Sequence, residues 1–277
     1  MNKFKKINPL RHLLLIVLAF AFSFPFAWMI LGVFKTNNEI WQTPYKLLPA
    51  QWNLSLLKES LVAIDFSRYI YNSIWIGFVG SLVMIVLAMC FSYAIVFLKI
   101  KHKKLLFSVV LMTYMLPGAV TYVPSYVILS RMGGLDSHWG LIFSNAASVF
   151  AVFYLRQSFL KTPLEYVEAA RVEGAGHFHI LKNILIPLNL PAFTTLFVLT
   201  FIQQYNNYMW PSIVLSSKDK YLVSQGLRQF FIQEGAYGMN WSEIMLASTV
   251  VILPIVLIFV IGQKWLLSNV SQDSGIK

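Results

Sequence analysis

Residues 69–98 read YIYNSIWIGFVGSLVMIVLAMCFSYAIVFL, a run without a single Asp, Glu, Lys or Arg. A helix needs about 20 predominantly apolar residues to cross the roughly 30 Å hydrocarbon core of a bilayer. The run is continuous, whereas the strands of a membrane barrel alternate apolar and polar residues. This stretch therefore predicts a membrane-spanning helix.

Five further stretches of the same kind lie on either side of it. We predict an all-α polytopic membrane protein with six transmembrane helices, at residues 13–34, 69–98, 105–130, 137–155, 188–217 and 244–264. The composition agrees, because 57% of the 277 residues are hydrophobic and only 12% are charged. Soluble proteins carry about 25% charged residues, so an ordinary soluble enzyme is excluded.

The basic residues predict the orientation, since Lys and Arg accumulate on the cytoplasmic side. On this basis the tails 1–12 and 265–277 and the loop 156–187 are cytoplasmic, and the long loops 35–68 and 218–243 are external. The cytoplasmic parts, with the link at 99–104 and Lys264, hold 14 of the 22 basic and four of the 11 acidic residues. This asymmetry accounts for the net charge of +11 without a nucleic acid partner.

The first helix is expected to be retained. Ala19-Phe20-Ala21 resembles the cleavage site of a signal peptide, but the apolar run continues to Phe34. A signal core is only about 7–15 residues long.

The cytoplasmic loop 156–187 departs from the apolar pattern. Thr162-Pro163-Leu164-Glu165 is typical of a helix start, with Thr162 as the cap. Gly174 predicts a left-handed stop, and a second short helix then carries Phe178, Leu181 and Leu185 on one face. Small residues at the corner let another backbone approach closely. The loop is therefore predicted to be a docking element for a second protein.

Catalysis by this chain is not expected. The phosphate-binding pattern G-x-x-x-x-G-K-[ST] is missing from the sequence, and no Ser/His/Asp or Cys/His set is visible. His177 and His179 are two residues apart, which points them away from each other on a helix, so we predict no metal site and no catalytic residue.

The same loop carries a specific resemblance. Glu168-Ala169-Ala170, then Gly174 after three residues, then Ile184-Leu185-Ile186-Pro187 after nine, resembles the EAA loop of ATP-binding-cassette (ABC) importer permeases. The family pattern ends in I-x-L-P, so Ile186 is the one change. Arg171-Val172-Glu173-Gly174-Ala175 is similar to the R-V-D-G-A run of sugar permeases. Together with Asn72-Ser73 and Met115-Leu116-Pro117, the resemblance points to the smaller six-helix permease of the maltose-transporter type.

The resemblance implies a multi-subunit importer in the bacterial inner membrane. A second permease would complete the pore, two ATPase subunits would bind ATP and Mg²⁺, and an external binding protein would deliver a sugar. This chain would bind no cofactor itself. Its permease domain would cover residues 69–266. The residues implied to couple it to an ATPase subunit are Glu168, Ala169, Ala170, Arg171, Glu173, Gly174, Ile184 and Pro187.

A polar segment inside the predicted fifth helix supplies the candidate pore residues: Gln203, Tyr205, Asn206 and Asn207. Polar groups at that depth usually face the bundle interior or a watery path. Amides and aromatic rings also suit sugar hydroxyls and sugar faces. Helix–helix hydrogen bonding is the alternative.

The cargo is expected to be a sugar, and an oligosaccharide in particular. The alternative is glycerol 3-phosphate or a related phosphodiester, since permeases for those ligands look much alike. A phosphate would favour a basic group in the pore, and the predicted spans contain none except Lys264 at the cytoplasmic end of the last span. A membrane enzyme or an autonomous channel is the remote third hypothesis.

Overall fold

The computed structural model describes residues 9–52, 66–233 and 241–273. Parts of both tails (1–8 and 274–277) and of both long predicted external loops (53–65 and 234–240) lie outside the described residues. Every regular element in the described ranges is helical: α1 (Pro9–Gly32), α2 (Asn37–Gln42), α3 (Phe66–Phe97), α4 (Lys103–Thr113), α5 (Gly118–Arg131), α6 (His138–Ser144), α7 (Val149–Lys161), α8 (Leu164–Val172), α9 (His177–Leu188), α10 (Leu190–Tyr205), α11 (Met209–Val214), α12 (Val223–Gln233) and α13 (Trp241–Asp273), with a short 3₁₀ turn at Lys218–Lys220.

Three of these helices are each long and apolar enough to cross a membrane. They are α1, α3 and the Trp241–Lys264 part of α13. Three further pairs reach that length only as bent pairs, with bends of 99° between α4 and α5, 54° between α6 and α7, and 84° between α9 and α10. The predicted third, fourth and fifth spans thus each contain a break between two helices.

Each break has a local chemical cause. Pro117 precedes α5 and has no backbone N–H to continue α4. The Ser148 hydroxyl accepts a 3.2 Å hydrogen bond from the Ala151 N–H and so starts α7. Between α9 and α10, Asn189 is flanked by Pro187 and Pro191.

The described residues form two compact units. The first contains 9–52 and 66 with 227–233 and 241–253. Its core packs Val33 and Ile40 against Met245 and Leu246. Thr36 and Glu39 form a reciprocal capping box at the start of α2, and hydrogen bonds from the Thr36 and Ala50 amides lower the pKa of Glu39.

The second unit contains 67–226 and 254–273 and is built along α3. Its three core clusters contain Ile76, Met84 with Ala88, and Tyr93 with Phe97, in order along that helix. Small residues allow close packing: a Cβ on Gly77 would lie 2.9 Å from the Phe201 ring of α10. Such packing associates helices in lipid, where the hydrophobic effect contributes little.

Candidate transport cavity and docking loop

A cavity of about 640 Å³ lies in the second unit, where the three interrupted spans meet. The α4–α5 break, the α6–α7 break and the end of α10 each supply part of its wall. The lining consists of amides, hydroxyls, aromatic rings and aliphatic groups, without a charged side chain: Met84, Thr113, Tyr114, Leu116, Gly118, Asn145, Ala147, Ser148, Val149, Phe150, Gln203, Gln204 and Asn207. Irregular backbone at membrane depth is tolerated where it lines such a cavity.

Two of the four predicted pore residues line this cavity, namely Gln203 and Asn207. Tyr205 does not line it, because its side chain is fully buried and its ring stacks on Phe201 with centroids 5.8 Å apart. Asn206 is exposed outside the lining.

Gln204 also lines the cavity. It belongs to the same polar segment of the sequence but was not selected there as a pore residue. Its side chain is buried, and a Cβ on Gly80 would lie 3.2 Å from Gln204 Nε2. The close approach of α3 at Gly80 therefore leaves room for the amide. A helical wheel anchored on Gln203 and Asn207, four residues apart, would have included position 204 as a neighbour on that face.

The polar segment occupies a helix end and the break after it. The sequence placed residues 203–207 within the fifth helix, but α10 ends at Tyr205. The Asn206 N–H still donates to the Ile202 carbonyl. Ser224 Oγ then donates to the Asn207 carbonyl over 2.8 Å. Asn is typical of a helix end, because its side chain can compete for backbone hydrogen bonds.

The predicted docking loop consists of α8 and α9, joined at Gly174. The φ angle of Gly174 is +83°, and a Cβ there would meet no atom within 4 Å. The Ala175 N–H donates to the Ala170 carbonyl and the Gly174 N–H to the Arg171 carbonyl, at 2.9 and 3.0 Å. These two hydrogen bonds form a Schellman motif, as the glycine stop predicted.

The residues of the EAA pattern divide between the surface and the interior. Glu168, Ala169, Glu173 and Gly174 are exposed, whereas Ala170 is buried in the cluster of Tyr93 and Phe97. The Arg171 Nη2 atom donates to the Phe97 carbonyl over 3.0 Å, and His177 Nδ1 shares a 2.8 Å hydrogen bond with the Tyr93 hydroxyl. The residues on both sides of Gly174 are therefore joined by hydrogen bonds to the last turns of α3.

The start of the loop differs from its predicted form. Pro163, which has no capping side chain, precedes α8. Thr162 instead accepts a 3.0 Å hydrogen bond from Asn189 Nδ2. Buried Asn189 also donates to the Leu185 carbonyl and accepts from Ser158 Oγ. Thr162 thus joins α7 to the bend before α10.

The second helix of the loop also differs. A π-helical turn at Leu181–Leu185 shifts the register. Leu185 is fully buried, whereas Phe178 is 77% exposed. Phe178 and Leu185 therefore do not share the predicted face. Ile184 packs against the Tyr93 and Phe97 cluster, and Pro187 is exposed.

A polar cluster holds the segment 214–223 at the end of the second unit where α3 begins. Asp136 accepts from the Ser216 and Ser217 N–H groups at 3.0 Å and from Lys220 Nζ at 2.8 Å. The ammonium of Lys220 and the hydroxyl of Ser217 hold the pKa of Asp136 well below its usual range. Asn72 Nδ2 donates to the Asp219 and Tyr221 carbonyls. We call these side chains, Asn72, Asp136, Ser217 and Lys220, the loop clamp.

The described ranges contain no group of three or more His, Cys, Asp or Glu side chains arranged to hold a metal ion.

Comparison with known proteins gives consistent matches over most of the chain. A family model described as "Binding-protein-dependent transport system inner membrane component" matches residues 92–272. The sn-glycerol-3-phosphate transport system permease protein UgpE of Brucella abortus (strain 2308) is 29% identical over 272 residues, which is 96% of each chain. The UgpE protein of Yersinia enterocolitica is 30% identical over 260 residues, which is 92% of each chain.

Two solved structures share the fold. One is a bacterial ABC transporter involved in the import of the acidic polysaccharide alginate, with a TM-score of 0.81 at 19% identity over 92% of this chain and 94% of that chain. The other is the MetNI methionine ABC transporter, with a TM-score of 0.55 at 17% identity over 72% of this chain and 93% of that one.

The family match covers more than half of the chain. Members are multi-pass permease subunits of the inner membrane, and they act with a second permease, ATPases that hydrolyse ATP and a binding protein. The chain is thus a transport subunit and not an enzyme. This protein belongs to the family of binding-protein-dependent transport system inner membrane components.

Proposed function

We propose that this permease subunit translocates a neutral, polyhydroxylated solute, best represented by an oligosaccharide. The observation that carries the proposal is the cavity of about 640 Å³, whose lining offers amides, hydroxyls and aromatic rings but no charge. Pockets of about 300–1,000 Å³ suit ligands of that size class. Gln203, Gln204 and Asn207 would bind the sugar hydroxyls.

The second candidate cargo is sn-glycerol 3-phosphate. It is favoured by the relatives of about 29% identity that carry that name. A phosphate is bound best by a charge-assisted partner such as Arg, which the cavity lining lacks. The partner permease would have to supply one.

The cargo can be identified on the cognate external binding protein. Thermal unfolding of that protein with a panel of neutral oligosaccharides and with sn-glycerol 3-phosphate distinguishes the two candidates. Stabilisation by an oligosaccharide, and uptake of that compound by cells with the intact importer, is expected. Stabilisation by sn-glycerol 3-phosphate alone would contradict the proposed cargo.

The proposed topology has six spans, with α1, α3 and α13 as single helices, the α4–α5 and α6–α7 pairs as one broken span each, and α10 with α11 as the fifth span. Both termini and the docking loop then lie in the cytoplasm. The distribution of Lys and Arg supports this arrangement.

The exposed corner of the docking loop is proposed to bind one of two ATPase subunits, which hold the ATP and Mg²⁺. Glu168, Ala169, Glu173 and Gly174 would make the contact, since all four are exposed. Their arrangement presents a corner with little side-chain bulk and two carboxylates beside it.

Gly174→Asp tests the docking surface. We expect uptake to be abolished while membrane insertion is unchanged, because a charged side chain would project into open space at the contact. Uptake of the cargo and the amount of permease in the membrane are measured together.

Gly133→Asp is the matched control. Gly133 also has a positive φ, +68°, with no atom within 4 Å of its Cβ position, but it follows α5 on the predicted external side. The Gly133→Asp variant introduces the same charge at a position with a similar positive φ, but away from the proposed docking surface, so uptake is expected to persist. Normal uptake by Gly174→Asp, or equal loss in both variants, would contradict the docking role.

A further inference from the structure

A second cavity, of about 520 Å³, lies in the same unit at the other end of α7. It is bounded by the C-terminal half of α7, the first turn of α8 and the start of α10. Its lining is Phe153, Tyr154, Gln157, Ser158, Lys161, Thr162, Pro163, Tyr166, Leu188, Asn189, Pro191 and Ala192. It has no part in the function proposed above.

The two cavities share walls. Phe150 lines the first and Tyr154 lines the second, and their ring centroids are 5.9 Å apart. Residues four apart occupy one face of a helix, so one aromatic face of α7 joins the two cavities. The helix α10 lines the second cavity at Ala192 and the first at Gln203, about 16 Å farther along at 1.5 Å per residue.

The chemistry of the second cavity suits a polyhydroxylated solute. Gln157 offers an amide, Tyr166 offers a ring with a hydroxyl group, and Phe153 offers a second aromatic ring. Asn189 is not available as a ligand, because its amide is bonded to Ser158, Thr162 and the Leu185 carbonyl. It fixes the wall of the cavity instead.

One wall of the second cavity belongs to the docking loop. Pro163 and Tyr166 lie at the start of α8, the helix whose far end carries the exposed corner at Gly174. A movement of the loop therefore changes the shape of this cavity directly. The first cavity has no lining residue from the loop.

We propose that the second cavity is an exit site, which holds the polyhydroxylated solute between the first cavity and the cytoplasm and is opened and closed by α8. This inference rests on the proposed function. It assigns Gln157 and Tyr166 to the solute on its way out.

Cysteine labelling tests the exit site. The chain has one cysteine, Cys90, so Cys90→Ser gives a background for the single variants Gln157→Cys, Asn207→Cys and Leu160→Cys. The complete importer, with both permeases and the ATPases, is placed in inverted membrane vesicles. A membrane-impermeant hydrophilic maleimide is added from the cytoplasmic side, with no nucleotide or after trapping with ATP and vanadate.

Gln157→Cys is expected to react without nucleotide and to slow by about fivefold or more after trapping, the lower range of coupling between two states. A mixture of maltotriose, raffinose and xylotriose is expected to slow the nucleotide-free reaction as well. Leu160→Cys is the control, because Leu160 is exposed on α7 but lines neither cavity. Its rate should not change.

Asn207→Cys separates the two hypotheses. If nucleotide and sugar change labelling at 207 but not at 157, the exit site is wrong and the proposed function stands. If neither position responds, both are wrong. The exit site is also overturned if the reagent does not label position 157, which is the result expected for a lipid-filled groove. An equal change in labelling at position 160 would overturn it as well.

Discussion

Arg171 is a residue of the docking loop that contacts the interior of the permease rather than the exposed surface of the loop. The sequence resemblance assigned it to the ATPase contact, but its guanidinium lies half-buried and donates to the Phe97 carbonyl at the end of α3. The last carbonyls of a helix lack partners within the helix, and the helix dipole favours a cation there. Arg171 is therefore placed to transmit movement of the loop to α3.

Arg171→Met should uncouple the importer while leaving it assembled. Met keeps much of the apolar stem but cannot donate to Phe97, so we expect the amount of solute imported per ATP hydrolysed to fall by roughly fivefold. Uptake and ATP hydrolysis are measured on the same reconstituted complex. The ATPase subunits should still copurify with the variant.

Two variants control this prediction. Arg171→Lys retains a donor and should recover part of the coupling. Lys182→Met removes an exposed positive charge from the same loop and should have no effect. A normal ratio of uptake to ATP hydrolysis in Arg171→Met would show that the bond to Phe97 does not transmit the movement.

At the level of elements, the sequence predicts helices well and their breaks poorly. The six apolar segments can be predicted from the length of each run without charged residues, because the thickness of the bilayer sets the minimum length of a spanning helix. The break at residues 206–208 is held by a hydrogen bond that is made only after folding, from Ser224 Oγ to the Asn207 carbonyl. This break lines the cavity. Polarity marks the whole segment 203–207, so the sequence could not separate the lining residues Gln203, Gln204 and Asn207 from the rest of the segment.

The loop clamp should hold the segment 214–223 through the ionised form of Asp136. Its pKa is lowered in the folded protein, so it stabilises the segment above its ordinary pKa of 3.8 and the effect is lost as the pH falls below that value. Asp136→Asn should raise hydrogen exchange in 214–223 by about tenfold, since hydrogen bonds to a charged group contribute about 1.5–3 kcal/mol each. The wild-type rates, corrected for intrinsic exchange, should agree at about pH 7 and about pH 5.

Asp219→Asn is the comparison for the clamp. Asp219 pairs with Arg68 at 3.6 Å, and both side chains are about half exposed. Exposed ion pairs contribute about 0–1 kcal/mol, so this variant should exchange at nearly the wild-type rate. If both variants behave alike, the charge of Asp136 is not what orders the segment.

In the molecule as a whole, charged side chains are absent from the lining of the first cavity, and basic residues are concentrated on the predicted cytoplasmic side. The lining of the first cavity is uncharged, whereas 14 of the 22 basic residues fall on the predicted cytoplasmic side. Because the basic residues lie outside the first cavity, the high net positive charge of the protein is compatible with a neutral cargo. The distribution of the basic residues also supports the proposed orientation, since positive residues are retained in the cytoplasm.

This orientation predicts the side from which each loop can be labelled. In the Cys90→Ser background, His102→Cys lies in the basic link before α4 and Lys218→Cys in the 3₁₀ turn held by the loop clamp, and both positions are exposed. An impermeant maleimide should label position 218 in spheroplasts and position 102 only after permeabilisation. Because the two positions lie in different predicted compartments, the opposite pattern would reverse the topology. It would also place the Gly174 corner on the wrong side of the membrane for an ATPase.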